Sequence, residues 1–212
     1  MRVCGIDEAG RGSMVGPLVI AGVATDREAD LREMGARDSK ELPPDARNEL
    51  YDAIKGMADT RVETIQPAEI DRAVRHHGLN GLEARHMASI ARALGGTTTY
   101  VDSCDVDADR FGRTISRISG RAISSHHRAD SQFPVVSAAS IIAKVERDRV
   151  VDRLGLGSGY PSDPESVRFL RSYYERNGEM PAYARQTWQP VRQIMGPMYH
   201  KLLPEGQERL FG

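Results

Sequence analysis

The stretch Val3-Cys4-Gly5-Ile6-Asp7-Glu8-Ala9-Gly10-Arg11-Gly12, followed after Gly16-Pro17 by Leu18-Val19-Ile20-Ala21-Gly22-Val23-Ala24-Thr25, decides how the chain is read. Two short apolar runs are separated by glycines and a proline, which predicts adjacent strands over residues 3–7 and 18–25. Working outward, Pro43-Pro44 opens a helix expected over 45–57, with Leu50, Ile54 and Met57 at helical spacing. Residues 61–66 alternate like a strand. Residues 67–77 and 81–94 read as helices, and Gly95-Gly96 stops the second. Thr97 to Asp102 (TTTYVD) is rich in β-branched and aromatic residues and predicts another strand. A short helix over 107–117, a strand over 121–126 and the longest helix over 134–154 continue the alternation. Beyond Gly155 the chain is strand-poor, and Asp163-Pro164 caps a helix over 164–177 whose buried face carries Val167, Leu170 and Tyr174. Alternating strands and helices predict an α/β sheet of mixed direction with a helical cap.

The bulk numbers bound this reading without sharpening it. A chain of 212 residues with 40% hydrophobic content holds one full core. Lys+Arg 29 against Asp+Glu 30 gives a net charge of -1, so any surface for nucleic acid must be local. Cys4 and Cys104 lie far apart with no metal-pair spacing, and each is expected as a small buried hydrophobe. The N-terminus meets charge at Asp7, which leaves no apolar region for a signal peptide, and no stretch approaches a membrane span. A cytoplasmic protein with no membrane partner is expected.

Three strand ends finish in acid: Asp7-Glu8, Asp102 and Asp130. In an α/β sheet, ligands gather at strand ends, so carboxylates from separate strands can converge there. Four acids in one place repel unless cations are bound, and Mg2+ or Mn2+ prefer such oxygen ligands. Two such ions can activate an attacking water and stabilise the leaving oxygen of a phosphodiester. Any one of these acids alone reads first as a solvated loop residue. Asp7 and Glu8 raise a geometric difficulty, because neighbours in a strand point to opposite faces. They share a site only where the strand ends or bends.

Gly10-Arg11-Gly12 does not fit a phosphate loop. Gly5 to Arg11 lacks the Walker lysine, and the Gly10, Gly12, Gly16 spacing is one residue too long for a dinucleotide fingerprint. Two flanking glycines do allow a ligand to approach the backbone closely. On the longest helix Ser137, Ser140, Lys144 and Asp148 share one face, with Val135, Ala138, Ile142 and Val145 on another. The polar stripe faces either water or a site near Asp130.

Together these blocks resemble ribonuclease HII in its archaeal, single-chain form. The matches are DEAGRG at Asp7 to Gly12, DSK at Asp38 to Lys40, YVDS at Tyr100 to Ser103, ADSQFPVVSAASIIAKVERD at Ala129 to Asp148, and GYPSDP at Gly159 to Pro164. The resemblance implies an RNase H-like mixed five-stranded sheet flanked by helices, with a catalytic core over 1–155 and a helical C-terminal region over 156–212 packed on it. It implies that Asp7, Glu8, Asp102 and Asp130 are catalytic and bind two Mg2+ or Mn2+ ions. Gly10, Arg11 and Gly12 would contact the ribonucleotide and, with Tyr160, read its 2′-hydroxyl, the group that distinguishes RNA from DNA. Lys40 and Lys144 would hold phosphates. The implied substrates are RNA/DNA hybrids and duplex DNA with embedded ribonucleotides, cut on the 5′ side to leave 3′-hydroxyl and 5′-phosphate ends.

Two departures stand out. Ser13 follows GRG where the family commonly has proline, which suggests a looser turn, and residues 183–188 (YARQTW) match the family's Arg-Ser-Trp stretch only in part. The tail resembles a sliding-clamp-binding peptide through Gln207, Leu210 and Phe211 but is short by an aromatic, and it reads first as a frayed terminus. The pairs His76-His77 and His126-His127 read first as surface histidines. Competing readings are another two-metal nuclease on the same fold, which leaves GRG and Tyr160 without a role, and a non-cleaving hybrid-binding module, against which four phosphate-repelling acids argue.

Overall fold

The computed structural model describes residues 1–35 and 43–196. Its centre is a five-stranded sheet of β1 (Val3–Ala9), β2 (Leu18–Thr25), β3 (Asp59–Ile65), β4 (Thr98–Asp102) and β5 (Ile123–His126), in the spatial order β3-β2-β1-β4-β5. The β1-β2 and β2-β3 pairs are antiparallel, and β4 joins β1 and β5 in parallel. The described helices are α1 (Glu28–Glu33), α2 (Pro44–Met57), α3 (Pro67–Arg75), α4 (Leu79–Leu94), α5 (Ala108–Ser119), α6 (Pro134–Asp152), α7 (Pro164–Asn177) and α8 (Gln189–Met195). The expected mixed five-stranded sheet flanked by helices is therefore observed.

Alternation along the strands sorts the core into two layers. Cys4 and Ile6 of β1 and Leu18 and Ile20 of β2 pack with Met87, Ile90 and Ala91 of α4 and Phe111 and Ile115 of α5. Their neighbours Val19, Ala21 and Val23 pack on the other face against Val135, Ala138, Ala139 and Ile142 of α6. Helix α6 presses so closely on β1 that a Cβ at Gly5 would sit 2.3 Å from the Val135 backbone. A third cluster joins Met14 and Val15 to Val151, Leu156, Leu170 and Val191, docking α7 and α8 onto the loop after β1.

Several boundaries differ from the sequence expectation. Strand β1 runs to Ala9 instead of ending at Asp7, because β2 continues to pair with it through Ala9↔Val19. Strand β3 starts at Asp59 and ends at Ile65, since Gln66 caps α3 and Pro67 occupies its first turn. Helices α1 and α8 were not anticipated; they hold six and seven residues, too few for a periodic apolar pattern. No helix among the described residues is long and apolar enough to cross a membrane.

Candidate active site

Strand β4 ends at Asp102, beside the part of β1 that continues past its last β4 partner, Ile6. The opening anticipated at an end of β1 is thus made by the end of its neighbour. Asp7 lies on the α6 face and Glu8 on the α4 face, as alternation requires. Asp7 is 4% exposed, and its Oδ1 accepts the Glu8 N–H at 2.7 Å. Burial raises its pKa to about 8, helped by the charges of Asp102 and Asp130 and opposed by the Ser140 hydroxyl, which hydrogen-bonds to it. Glu8 is also pushed well above the usual carboxylate range, first by burial and then by Asp7, Glu83 and Asp102. Asp102 Oδ1 accepts the Ala129 N–H at 2.9 Å, which ties β4 to the 3-10 turn Ala129–Ser131 that carries buried Asp130. The four predicted carboxylates are therefore electrostatically linked at one end of the sheet.

Among the described residues, no three His, Cys, Asp or Glu side chains stand close enough together to hold a metal ion as placed. The donor set nevertheless fits a hard divalent cation. It consists of carboxylate oxygens only, Asp7 and Asp130 are buried and Glu8 and Asp102 half-buried, and Glu8 Oε2 is enclosed without a hydrogen-bond partner. A bound cation would offset both the burial and the mutual repulsion that raise the Asp7 pKa.

Next to the carboxylates lies a cleft of about 340 Å3 lined by Glu8, the Gly10 to Gly12 loop, Ser140, Lys144 and Tyr160. The polar stripe on α6 thus turns toward this site. Ser137 is buried, Ser140 contacts Asp7, and Lys144 forms a part-exposed pair with Asp148 at 2.9 Å. An i,i+4 pair of this kind is worth only about 0.3–0.5 kcal/mol, so Lys144 is easily released to a phosphate. Arg47 of α2 lines the same cleft and was not singled out from sequence, because nothing local distinguishes it from other charges on that helix.

The glycine loop is braced from three sides. Arg11 is held by α4, its Nη1 donating to Glu83 Oε2 at 3.0 Å and its Nη2 to Asn80 Oδ1 at 2.7 Å. Glu83 is fully buried, and burial raises its pKa against the pull of Arg11. From the C-terminal region, buried Arg185 donates to the carbonyls of Gly16 (3.1 Å) and Arg11 (2.9 Å). The third brace is Arg147, 2% exposed, which donates to Ser13 Oγ and the Ser158 carbonyl, both at 2.7 Å. Its guanidinium also lies 4.6 Å from the centre of the Tyr160 ring.

Ser13 corrects the expectation of a loose turn. Fully buried, its hydroxyl stands 2.7 Å from the Val15 carbonyl and 2.9 Å from that of Gly159, while accepting from Arg147. The turn is pinned to the loop that carries Tyr160. Residues 183–188, whose substrate contacts the partial motif left in doubt, brace the glycine loop through Arg185. Cys104 also departs from expectation: it is half-buried and its thiol lies 3.1 Å from Glu83 Oε2. His76, His77 and His127 are exposed, whereas His126 packs near the Phe133 ring. Lys40 and the tail residues Gln207, Leu210 and Phe211 lie outside the described residues.

A β3-β2-β1-β4-β5 sheet with acids at the ends of its central parallel strands defines the RNase H-like nucleases. A model of the family Ribonuclease HII matches residues 4–191, and the chain belongs to that family. It is 55% identical over 201 residues to the ribonuclease HII of Cenarchaeum symbiosum (strain A), covering 92% of this chain and 98% of the relative. Among solved structures, the ribonuclease H2 of Pyrococcus horikoshii OT3 superposes with a TM-score of 0.85 at 40% identity, covering 92% and 97% of the two chains. The ribonuclease HII in the PCNA complex from Archaeoglobus fulgidus gives 0.84 at 39% identity, covering 89% and 96%.

Proposed function

We propose that this ribonuclease HII hydrolyses the RNA strand of RNA/DNA hybrids and cuts on the 5′ side of ribonucleotides embedded in duplex DNA, leaving 3′-hydroxyl and 5′-phosphate ends. The observation that carries the reading is the junction of linked carboxylates, two of them buried, with a cleft formed by the braced glycine loop, Lys144 and Tyr160. Asp7, Glu8, Asp102 and Asp130 would hold two Mg2+ or Mn2+ ions. Such ions supply activation of water and charge stabilisation at the phosphodiester.

The chain's own residues do the selecting. Gly10 to Gly12 present backbone where a sugar hydroxyl can approach, with Tyr160 across the cleft and held in place by Arg147. Lys144 leaves Asp148 to meet a phosphate, and Lys40 is assigned the same role by its motif. Ser140 orients the Asp7 carboxylate through its hydrogen bond. The decisive experiment is cleavage of a duplex with one embedded ribonucleotide, with and without Mg2+ or Mn2+, with analysis of the product ends. Asp7→Asn is expected to lose at least about a thousandfold in rate while still binding the duplex. Normal turnover by that variant, or metal-independent cleavage, would overturn the assignment. We further assign Gln207, Leu210 and Phe211 to a sliding clamp, as the tail pattern suggests. Deleting residues 207–212 should abolish binding to the cognate clamp, and unchanged affinity retires the idea.

A further inference from the structure

The chain's near-neutral charge conceals one strongly basic surface outside the catalytic cleft. The hairpin of α3 and α4 contains three acids, Glu69, Asp71 and Glu83. Two of these are buried and already engaged. Asp71 accepts the backbone N–H groups of Gln186 and Thr187 at 2.9 and 3.0 Å, and Glu83 holds Arg11. Only Glu69 remains in contact with solvent, 3.7 Å from His86. Against it stand Arg72, Arg75, His76 and Arg85, all exposed, and none of the three arginines makes an ion pair with another described residue. Arg72, His76 and Arg85, with Glu69 as the single acid, line a cleft of about 430 Å3 that also includes Gly81 and Leu82.

This cleft is rigidly attached to the active site. Gly81 follows Asn80, whose side-chain Oδ1 accepts from Arg11 in the glycine loop. Asp71, next to Arg72, secures the segment whose Arg185 holds the Arg11 carbonyl. Cations gathered without partners repel one another, and phosphates of a nucleic acid relieve that cost while releasing condensed counterions. We propose that the α3-α4 corner is a second phosphate-binding surface, on which Arg72, His76 and Arg85 hold the backbone of the substrate duplex beyond the catalytic cleft. The inference rests on the proposed duplex substrate and adds a surface that acts by charge, without reading sequence or sugar.

The test compares Arg72→Ala/Arg85→Ala with the wild type on duplexes of about 10 and about 30 base pairs, one and three helical turns, each with one embedded ribonucleotide. On the long duplex KM is expected to rise about tenfold with little change in kcat, and the slope of log affinity against log salt to flatten by about two. On the short duplex the change should be clearly smaller, because fewer phosphates extend beyond the catalytic cleft to meet the corner. Arg72→Lys/Arg85→Lys should recover most of the loss, since a phosphate accepts either cation. Equal losses on both duplexes would place the effect in the catalytic cleft through Arg11 and overturn the proposal, as would an unchanged salt slope. If the wild type cleaves neither duplex, the substrate reading and this surface fall together. If it cleaves both with no difference between wild type and variant, only this surface falls.

Discussion

At the scale of single residues, the two glycines that flank Arg11 do different jobs. Gly10 has φ +86, and a Cβ there would lie 2.9 Å from the Pro17 carbonyl oxygen. Gly12 has no such constraint, and a Cβ would meet nothing within 4 Å. Gly10→Ala should therefore cost about 2 kcal/mol of stability, the usual penalty for forcing a side chain into that backbone region. Gly12→Ala should fold with an unchanged denaturation midpoint, yet lose about tenfold or more in kcat/KM because its methyl group occupies space left for the substrate. A Gly12→Ala enzyme with normal kinetics would refute that division. Spacing alone showed that glycines were needed here, but separating a fold requirement from a substrate requirement takes the position of Pro17, seven residues from Gly10. Cys104 shows the same limit. Its isolation from Cys4 predicted a small buried hydrophobe, and only tertiary contact sets it against Glu83.

At the scale of elements, the strands and longer helices were legible because their apolar periods are strong. The short helices α1 and α8 were not. The polar stripe on α6 was legible as a stripe, but its direction depended on where β1 lies beneath it. Most instructive is residues 183–188, where no helix or strand signal is legible and the structure places a strut. Arg185 donates to two carbonyls of the glycine loop from a fully buried position, and burial together with Arg147 lowers its pKa to about 10, so it stays charged at neutral pH. Arg185→Met should lower stability by about 3 kcal/mol in a denaturant titration, since it strands two buried carbonyls at about 1–3 kcal/mol each. Arg185→Lys should recover little, because an ammonium cannot reproduce the planar fork that reaches both oxygens. A fully stable lysine variant would argue that charge matters here and geometry does not.

At the scale of the whole molecule, the sheet brings together carboxylates from β1, β4 and the turn after β5, at an electrostatic cost that shows in the raised pKa of Asp7. A folded-state pKa raised from 3.8 to about 8 favours folding fully below the lower value, and that contribution is lost as pH rises through the upper one. Metal-free protein should accordingly become less thermostable between about pH 5 and pH 8. Mn2+ or Mg2+ should raise Tm, and by more at about pH 8 than at about pH 6, because protons and cations compete for the same oxygens. Calorimetry across that range checks it; an increment independent of pH would mean that the metal binds elsewhere. By itself the sequence determined the alternation of strands and helices, the mixed sheet, the family and the four candidate acids, since periodicity and short motifs are local properties of the chain. Only the tertiary structure decided how the opening segment works. Asp7 and Glu8 sit on opposite faces of an unbroken strand, and the space beside them exists because β4 stops at Asp102. The glycine loop keeps its shape through Glu83, Arg147 and Arg185, residues 72, 136 and 174 positions away from Arg11, contacts that folding creates and no local pattern encodes.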